Sequence, residues 1–342
     1  MSTEPLRTAI IGLGRMGRCH LTALDGVAEI DVVALAEPSA AALSAAAAAR
    51  PQARAYAAVA DALAHPGLEA CIVVTPTPTH PEVVEAAIEA GVHVLCEKPL
   101  ALDVAVGDRL GSVAAQRGLL LQVGFWRRFA APWRAARDCI ERGGIGVPLM
   151  LRLAQWDADA PPPAFCDPAV SGGLAVDCGV HEYDLAEWLT GRRITRVSAW
   201  SLPIVDPAVG RSGDVDNLVA VLELDGGGVA TVDLSRNARF GDDVRTEVLG
   251  SAGALLIDSL PVGRARIGTS GGLEVLAQSE VEDVMADGVA GQARAFAAAA
   301  RGCTGDVPTA DSSSRATRIG QAVIEAARSG RPVEIASNFP NS

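Results

Sequence analysis

The chain has 342 residues, 49% of them hydrophobic, and a formal net charge of −12, enough length for two domains, each with its own core. That acidic balance offers phosphates no extended basic face, and clusters such as Arg127-Arg128 and Arg192-Arg193 are too short to supply one, so no nucleic-acid partner is expected. Much of the apolar content is alanine, no uncharged stretch approaches a bilayer span, and Met1-Ser-Thr-Glu-Pro5 lacks the basic start and apolar core of a secretory signal, so a cytoplasmic chain without a membrane partner is expected.

The apolar run Thr8-Ala-Ile-Ile11 predicts a buried strand, and Met16 to Leu24 continues at helical spacing. Between them stands Gly12-Leu-Gly14-Arg15-Met16-Gly17, a Gly-x-Gly-x-x-Gly at a strand-to-helix turn. Gly12 permits the tight turn, Gly14 lets backbone approach a pyrophosphate, and Gly17 lets helix and strand pack closely. A bare glycine turn is the alternative. The next strand, Ile30 to Ala36, ends in Glu37, twenty residues beyond Gly17, where a carboxylate accepts hydrogen bonds from an adenosine ribose. It also repels a 2′-phosphate, and Pro38-Ser39 brings no arginine to offset it, so NAD is expected in preference to NADP.

An alanine-rich helix then runs to Arg50, followed by a strand near Ala53–Tyr56, a helix around Val59–Ala64 and a buried strand at Cys71–Val74. That strand empties into Thr75, Pro76, Thr77 and on to His80, at the sheet edge where ligands lie in open parallel sheets. Helix Pro81–Ala90, strand His93–Cys96, loop Glu97-Lys98-Pro99, helix Val104–Gln116 and strand Leu119–Val123 complete an α/β Rossmann domain, bounded at residues 1–124.

From residue 125 to 342 the rhythm changes. A helix at Pro132–Arg142 precedes strand-like runs at Leu149–Trp156, Val197–Leu202, Leu218–Leu224, Val229–Leu234, Thr246–Leu249 and Leu255–Asp258. Turns such as Asp225-Gly-Gly-Gly228 predict hairpins, hence an α+β domain on a large, mostly antiparallel open sheet, closed by helices near Gly291–Arg301 and Ser313–Ser329. Pro161-Pro-Pro163 reads as a stiff loop. Seven scattered cysteines form no Cys-x-x-Cys pair and no zinc spacing, which predicts reduced thiols and no metal site.

Lys98 directly follows a strand of the cofactor sheet, a place where solvated lysines are also common. Asp177 and His181 stand four apart in Gly172–Leu189 and share a face if that segment starts a helix. A lone histidine is more often structural. A carboxylate one turn earlier orients the imidazole and stabilises its charged form.

On Gly12–Gly17 with His20, Thr75–His80, Cys96-Glu97-Lys98-Pro99-Leu100, Gln122–Phe129, Gly172–Leu189 and Arg245–Gly250, the chain resembles the Gfo/Idh/MocA oxidoreductase family, and within it the bacterial inositol 2-dehydrogenases. The resemblance implies a Rossmann domain followed by a domain whose open sheet makes subunit contacts, commonly in homotetramers. It implies catalysis by Lys98, after a cis peptide to Pro99, with Asp177 and His181, and cofactor contacts from Gly12, Gly14, Arg15, Met16, Gly17, Glu37, Thr75, Pro76, Thr77, His80, Glu97 and Lys98. The expected substrate is a small polyol or sugar, with Arg127, Asp157 and Asn237 joining the catalytic trio around it; an ion-pair or surface role stands beside each of those three. No metal is needed. Where inositol dehydrogenases carry tyrosines this chain has Phe240 and Asp242, and Ala130 stands where an aspartate is common, so a pyranose or anhydrosugar remains an alternative to a cyclitol. A non-catalytic dinucleotide sensor is the other alternative, although such a protein is expected to lose the lysine or histidine kept here.

Overall fold

A computed structural model describes residues 4–260, 263–278 and 284–336. The chain forms two compact units by its internal contacts: the chain up to Phe129 together with Met285–Ser314, and Ala130–Val284 together with the chain from Arg315 onward.

In the first unit, β1 (Leu6–Ile11), β2 (Ile30–Ala36), β3 (Arg54–Tyr56), β4 (Ala70–Val73), β5 (His93–Cys96) and β6 (Leu121–Val123) lie in the order β3-β2-β1-β4-β5-β6, every pairing parallel. This is the doubly wound order with its reversal beside β1. The central strands are apolar without alternation because helices cover both faces: Ala9, Ile10, Ile11, Cys71, Ile72 and Val73 are fully buried. The helices Arg15–Ala23, Ala40–Ala49, Val59–Leu63, His80–Glu89 and Val104–Gln116 supply the crossovers. Asp103 caps the last, accepting from the Ala105 amide at 2.9 Å.

Met285–Ser314 joins this unit through specific contacts. The Val123 amide donates to Pro308 O at 2.9 Å, Gln122 Nε2 reaches Gln292 O, and Arg301 pairs with Glu69.

In the second unit β7 (Pro148–Trp156), β8 (Ile194–Ser201), β9 (Asn217–Leu224), β10 (Val229–Ser235), β11 (Asp243–Gly250), β12 (Ala254–Leu260), β13 (Arg264–Thr269), β14 (Gly272–Gln278) and β15 (Val333–Glu334) make one sheet, ordered β14-β13-β12-β11-β7-β10-β9-β8-β15. Among the described residues its pairings are antiparallel except β7 with β10. After β7 the chain crosses through helices before β8, β9 and β10 return, which lets β10 run parallel to β7. Alternation is strict: Leu218, Ala220 and Leu222 of β9 and Ala230, Val232 and Leu234 of β10 are buried, while Val219, Val221, Thr231 and Asp233 are half-exposed. The helix Gly179–Thr190 packs on β7, β8 and β10, and the helix Ala131–Glu141 on β12, β13 and β14.

The α/β plus mostly antiparallel architecture matches the sequence reading. The strands β13, β14 and β15 are additions, and Pro163, read as the end of a stiff loop, instead opens the short helix Pro163–Cys166, followed by Pro168–Ser171. Proline at the first helical position has no amide to leave unsatisfied. No helix among the described residues is long and apolar enough to cross a membrane.

Candidate active site

The glycine loop follows β1 directly. The Gly12 amide donates to Ala36 O at 2.9 Å, its φ is +95°, and a Cβ there would lie 2.6 Å from Val74 O. A Cβ on Gly17 would strike the Gly12 carbonyl oxygen, whereas one on Gly14 meets no atom within 4 Å. Two of the glycines are therefore demanded by the fold, and the third leaves a cradle ahead of the helix Arg15–Ala23, where Gly14 and Arg15 are exposed and Met16 is half-buried. Helix N-termini of this kind favour an anionic group.

At the end of β2, the Glu37 carboxylate accepts from the Leu13 amide at 2.8 Å and the Ser39 amide at 3.0 Å. Those bonds fix it against the glycine loop and leave further acceptor positions, since a carboxylate has about four lone-pair sites. The cradle and the fixed acid fit a dinucleotide with its ribose at Glu37.

The loops after β4 and β5 are tied together by a buried imidazole. His80 Nδ1 lies 2.8 Å from Pro99 O and Nε2 2.8 Å from Thr75 O. Burial pushes the His80 pKa down, against the pull of those two carbonyls. Thr77 is buried, Pro76 is exposed, and Thr79 Oγ1 donates to Thr75 Oγ1 at 2.9 Å. The Lys98–Pro99 peptide is cis, and Lys98 is half-buried. Glu97, read from sequence as a cofactor contact, turns inward: its Oε1 lies 2.8 Å from Nε2 of the fully buried His20 on the helix Arg15–Ala23. Burial alone would raise the Glu97 carboxyl; the His20 hydrogen bond and charge, with the nearby Lys98, outweigh it and hold the carboxyl low. Arg127 lies in the turn Trp126–Phe129 after β6, buried, its guanidinium carbon 5.6 Å from the Trp126 ring centroid.

In the second unit, Asp177 closes the short helix Leu174–Asp177 and His181 sits in the first turn of Gly179–Thr190, with Cys178 in helical conformation at the joint. The segment read as one helix start is thus two helices running on through one residue, and His181 is only 6% exposed. Asp157, just past β7, is anchored by its amide to Ser235 O at 2.8 Å and accepts from Gln155 Nε2 at 3.1 Å. Cys178 Sγ stands 3.4 Å from Asp157 Oδ2 and 3.9 Å from Asp177 Oδ2, which brings these two carboxylates together. Burial, joined by the charges of Asp242 and Asp177, raises the Asp157 carboxyl against the Gln155 and Cys178 hydrogen bonds. Asn237 is turned to its own neighbourhood, Nδ2 reaching Asp216 O at 3.5 Å. Of the departures, Phe240 is 74% exposed, while Asp242 Oδ1 accepts from the Ala158 amide at 2.7 Å, beside Asp157.

Sequence reasoning passed over Arg236. Its side chain is fully buried, with Nη1 2.6 Å from Asp214 Oδ2 and Nη2 3.5 Å from Asp177 Oδ2. The signal was present in the strand period, because Ala230, Val232, Leu234 and Arg236 fall on the same inward side, and a charge there needs a buried partner.

Comparison with known proteins identifies both halves of the chain. A model of the GFO/IDH/MocA oxidoreductase family, NAD-binding Rossmann fold, matches residues 6–125, and one of the GFO/IDH/MocA C-terminal domain matches residues 133–256. The chain is 36% identical over 200 residues to scyllo-inositol 2-dehydrogenase (NAD(+)) of Bacillus subtilis, a match spanning 58% of each chain. It is 33% identical over 255 residues to myo-inositol 2-dehydrogenase of Thermotoga maritima, covering 75% of this chain and 76% of that one. The crystal structure of scyllo-inositol dehydrogenase from Lactobacillus casei with bound NAD(H) and scyllo-inositol superposes with a TM-score of 0.84 at 27% identity, over 97% of this chain and all of the other. With family models matching both halves in order, over most of its length, the chain belongs to the GFO/IDH/MocA family of NAD-binding oxidoreductases.

Proposed function

We propose that this protein is an NAD-dependent dehydrogenase that oxidises a secondary hydroxyl of a cyclitol, myo-inositol or a related inositol, to the ketone. The observation that carries the reading is the buried His181 one turn beyond Asp177, in a chain whose relatives are named inositol dehydrogenases. Removing hydride from an alcohol carbon requires the hydroxyl proton to leave as well, since a protonated carbonyl is otherwise formed. His181 takes that proton, Asp177 holds the ring and balances its charge, and Lys98 stabilises the oxygen as negative charge develops. NAD, when bound, accepts the hydride at its nicotinamide ring. Asp157, Arg127 and Asn237 are assigned to the remaining hydroxyls.

Glu37 supports NAD over NADP, because a fixed carboxylate at the ribose repels a 2′-phosphate. The half-exposed face of the nine-stranded sheet supports a homo-oligomer, a tetramer on this reading; the net charge of −12 supports a small-molecule substrate over nucleic acid, and a cytoplasmic location away from the membrane belongs to the same reading.

A panel of inositols, monosaccharides and anhydrosugars, followed by NADH formation, tests the reading. Turnover of myo- or scyllo-inositol is expected. Turnover confined to pyranoses or anhydrosugars favours the second reading, which the exposed Phe240 and the engaged Asp242 support, since neither offers a phenol hydroxyl to an inositol. NAD binding without turnover of any alcohol marks a sensor.

A further inference from the structure

Arg236 lies one residue past β10, on its inward side, and none of its side chain reaches solvent. A guanidinium in that position is stable only with paired charge, because desolvation of an ion exceeds what unpaired surroundings return. Its two terminal nitrogens go to different carboxylates: Nη1 to Asp214 at 2.6 Å and Nη2 to Asp177 at 3.5 Å. Asp214 is itself fixed, accepting from the Leu174 amide at 2.9 and 3.1 Å, and a Cβ on Gly173 (φ +72°) would lie 2.6 Å from its Oδ1. Leu174 opens the short helix that Asp177 closes. Asp214 thus holds one end of that helix, Arg236 the other, and the Asp214–Arg236 contact joins them.

The two contacts are unequal, and the inequality matters. Committed to Asp214, the planar fork presents a fixed donor to Asp177 at the long limit of a hydrogen bond, which orients the carboxylate without consuming its acceptor capacity. We infer that Arg236 is a positioning residue for the reaction: locked by Asp214, it holds the Asp177 carboxylate where it serves His181. The inference rests on the roles given to Asp177 and His181 above.

A double-mutant cycle tests it, with myo-inositol and NAD as probes and with R236M, D177N and the pair. R236M lowers kcat about tenfold or more, in line with loss of an orienting group, while the Kd for NAD is unchanged, and it adds no further loss in the D177N background. R236K, which keeps the charge but not the fork, recovers part of the rate. An arginine that merely braces the fold lowers kcat by the same factor in both backgrounds, and that result overturns the inference. D177N with wild-type turnover removes the catalytic reading itself, a separate outcome. If R236M does not fold, D214N takes its place with the same expectation of a coupled loss. A crystal structure of R236M, or of D214N, provides a readout independent of substrate: an Asp177 carboxylate left in its present position overturns the proposal.

Discussion

His20 Nε2 and Glu97 Oε1 meet at 2.8 Å inside the first unit, one from the helix after the glycine loop, the other from the residue before Lys98. A buried pair of this kind is expensive to break from one side, about 3 kcal/mol or more, because the abandoned partner stays desolvated. H20A is therefore expected to lower the unfolding free energy by about that amount in urea denaturation. The Glu97 carboxyl is held low in the folded protein, so its contribution is present above the usual carboxylate range and is lost as pH falls through that lowered value. As pH falls below neutrality the buried His80 already costs stability, because the unfolded ring takes up a proton before the folded one does; the Glu97 loss adds to this below about pH 5, where E97Q should show a shallower fall than the wild type.

Gly12 and Gly14 separate folding from binding. G12A places a Cβ 2.6 Å from Val74 O at a φ of +95°, so it should lower the melting temperature and NAD affinity together. G14A meets nothing within 4 Å, so the melting temperature should stay within a degree or so while the Kd for NAD rises about tenfold or more, as the methyl enters the space of the pyrophosphate. Thermal melts beside NAD titrations distinguish the two.

On the proposed reading, Glu37 sets the preference for NAD over NADP. With its carboxylate fixed by the Leu13 and Ser39 amides, E37S removes both the ribose acceptor and the charge opposed to a 2′-phosphate. Catalytic efficiency with NAD should fall by about 10- to 100-fold, the worth of a charged hydrogen bond, while the NAD/NADP ratio moves toward unity. A wild-type ratio in E37S would show that selectivity resides elsewhere.

K98A and H181A should each lower kcat by about two to four orders of magnitude, the usual worth of a positioned proton acceptor or oxygen-stabilising cation. NAD affinity should be nearly intact in both. Pre-steady-state measurement with a deuterated substrate would then report a rate-limiting chemical step. Normal turnover in either mutant excludes that residue from the chemistry.

Much of this protein could be read from local pattern. Doubly buried strands such as Cys71–Val74 announce themselves as unbroken apolar runs, and the spacing from Gly12 through Gly17 to Glu37 encodes a strand, a turn, a helix and the next strand in one short stretch. That Asp177 and His181 stand on helical backbone about one turn apart was legible for the same reason. What local pattern does not contain is which distant groups meet. The parallel β7–β10 pairing depends on a crossover between strands far apart in sequence, and β14, whose Leu273 and Val275 are exposed, has no amphipathic alternation to reveal it. That the Glu97 carboxylate meets His20, 77 residues earlier in the chain, was not legible in either stretch alone. Arg236 acquired meaning only when Asp214 and Asp177 arrived on either side of its guanidinium. Charge pairing in the interior is decided by long-range packing, because desolvation makes a buried ion depend on whichever partners the completed fold supplies.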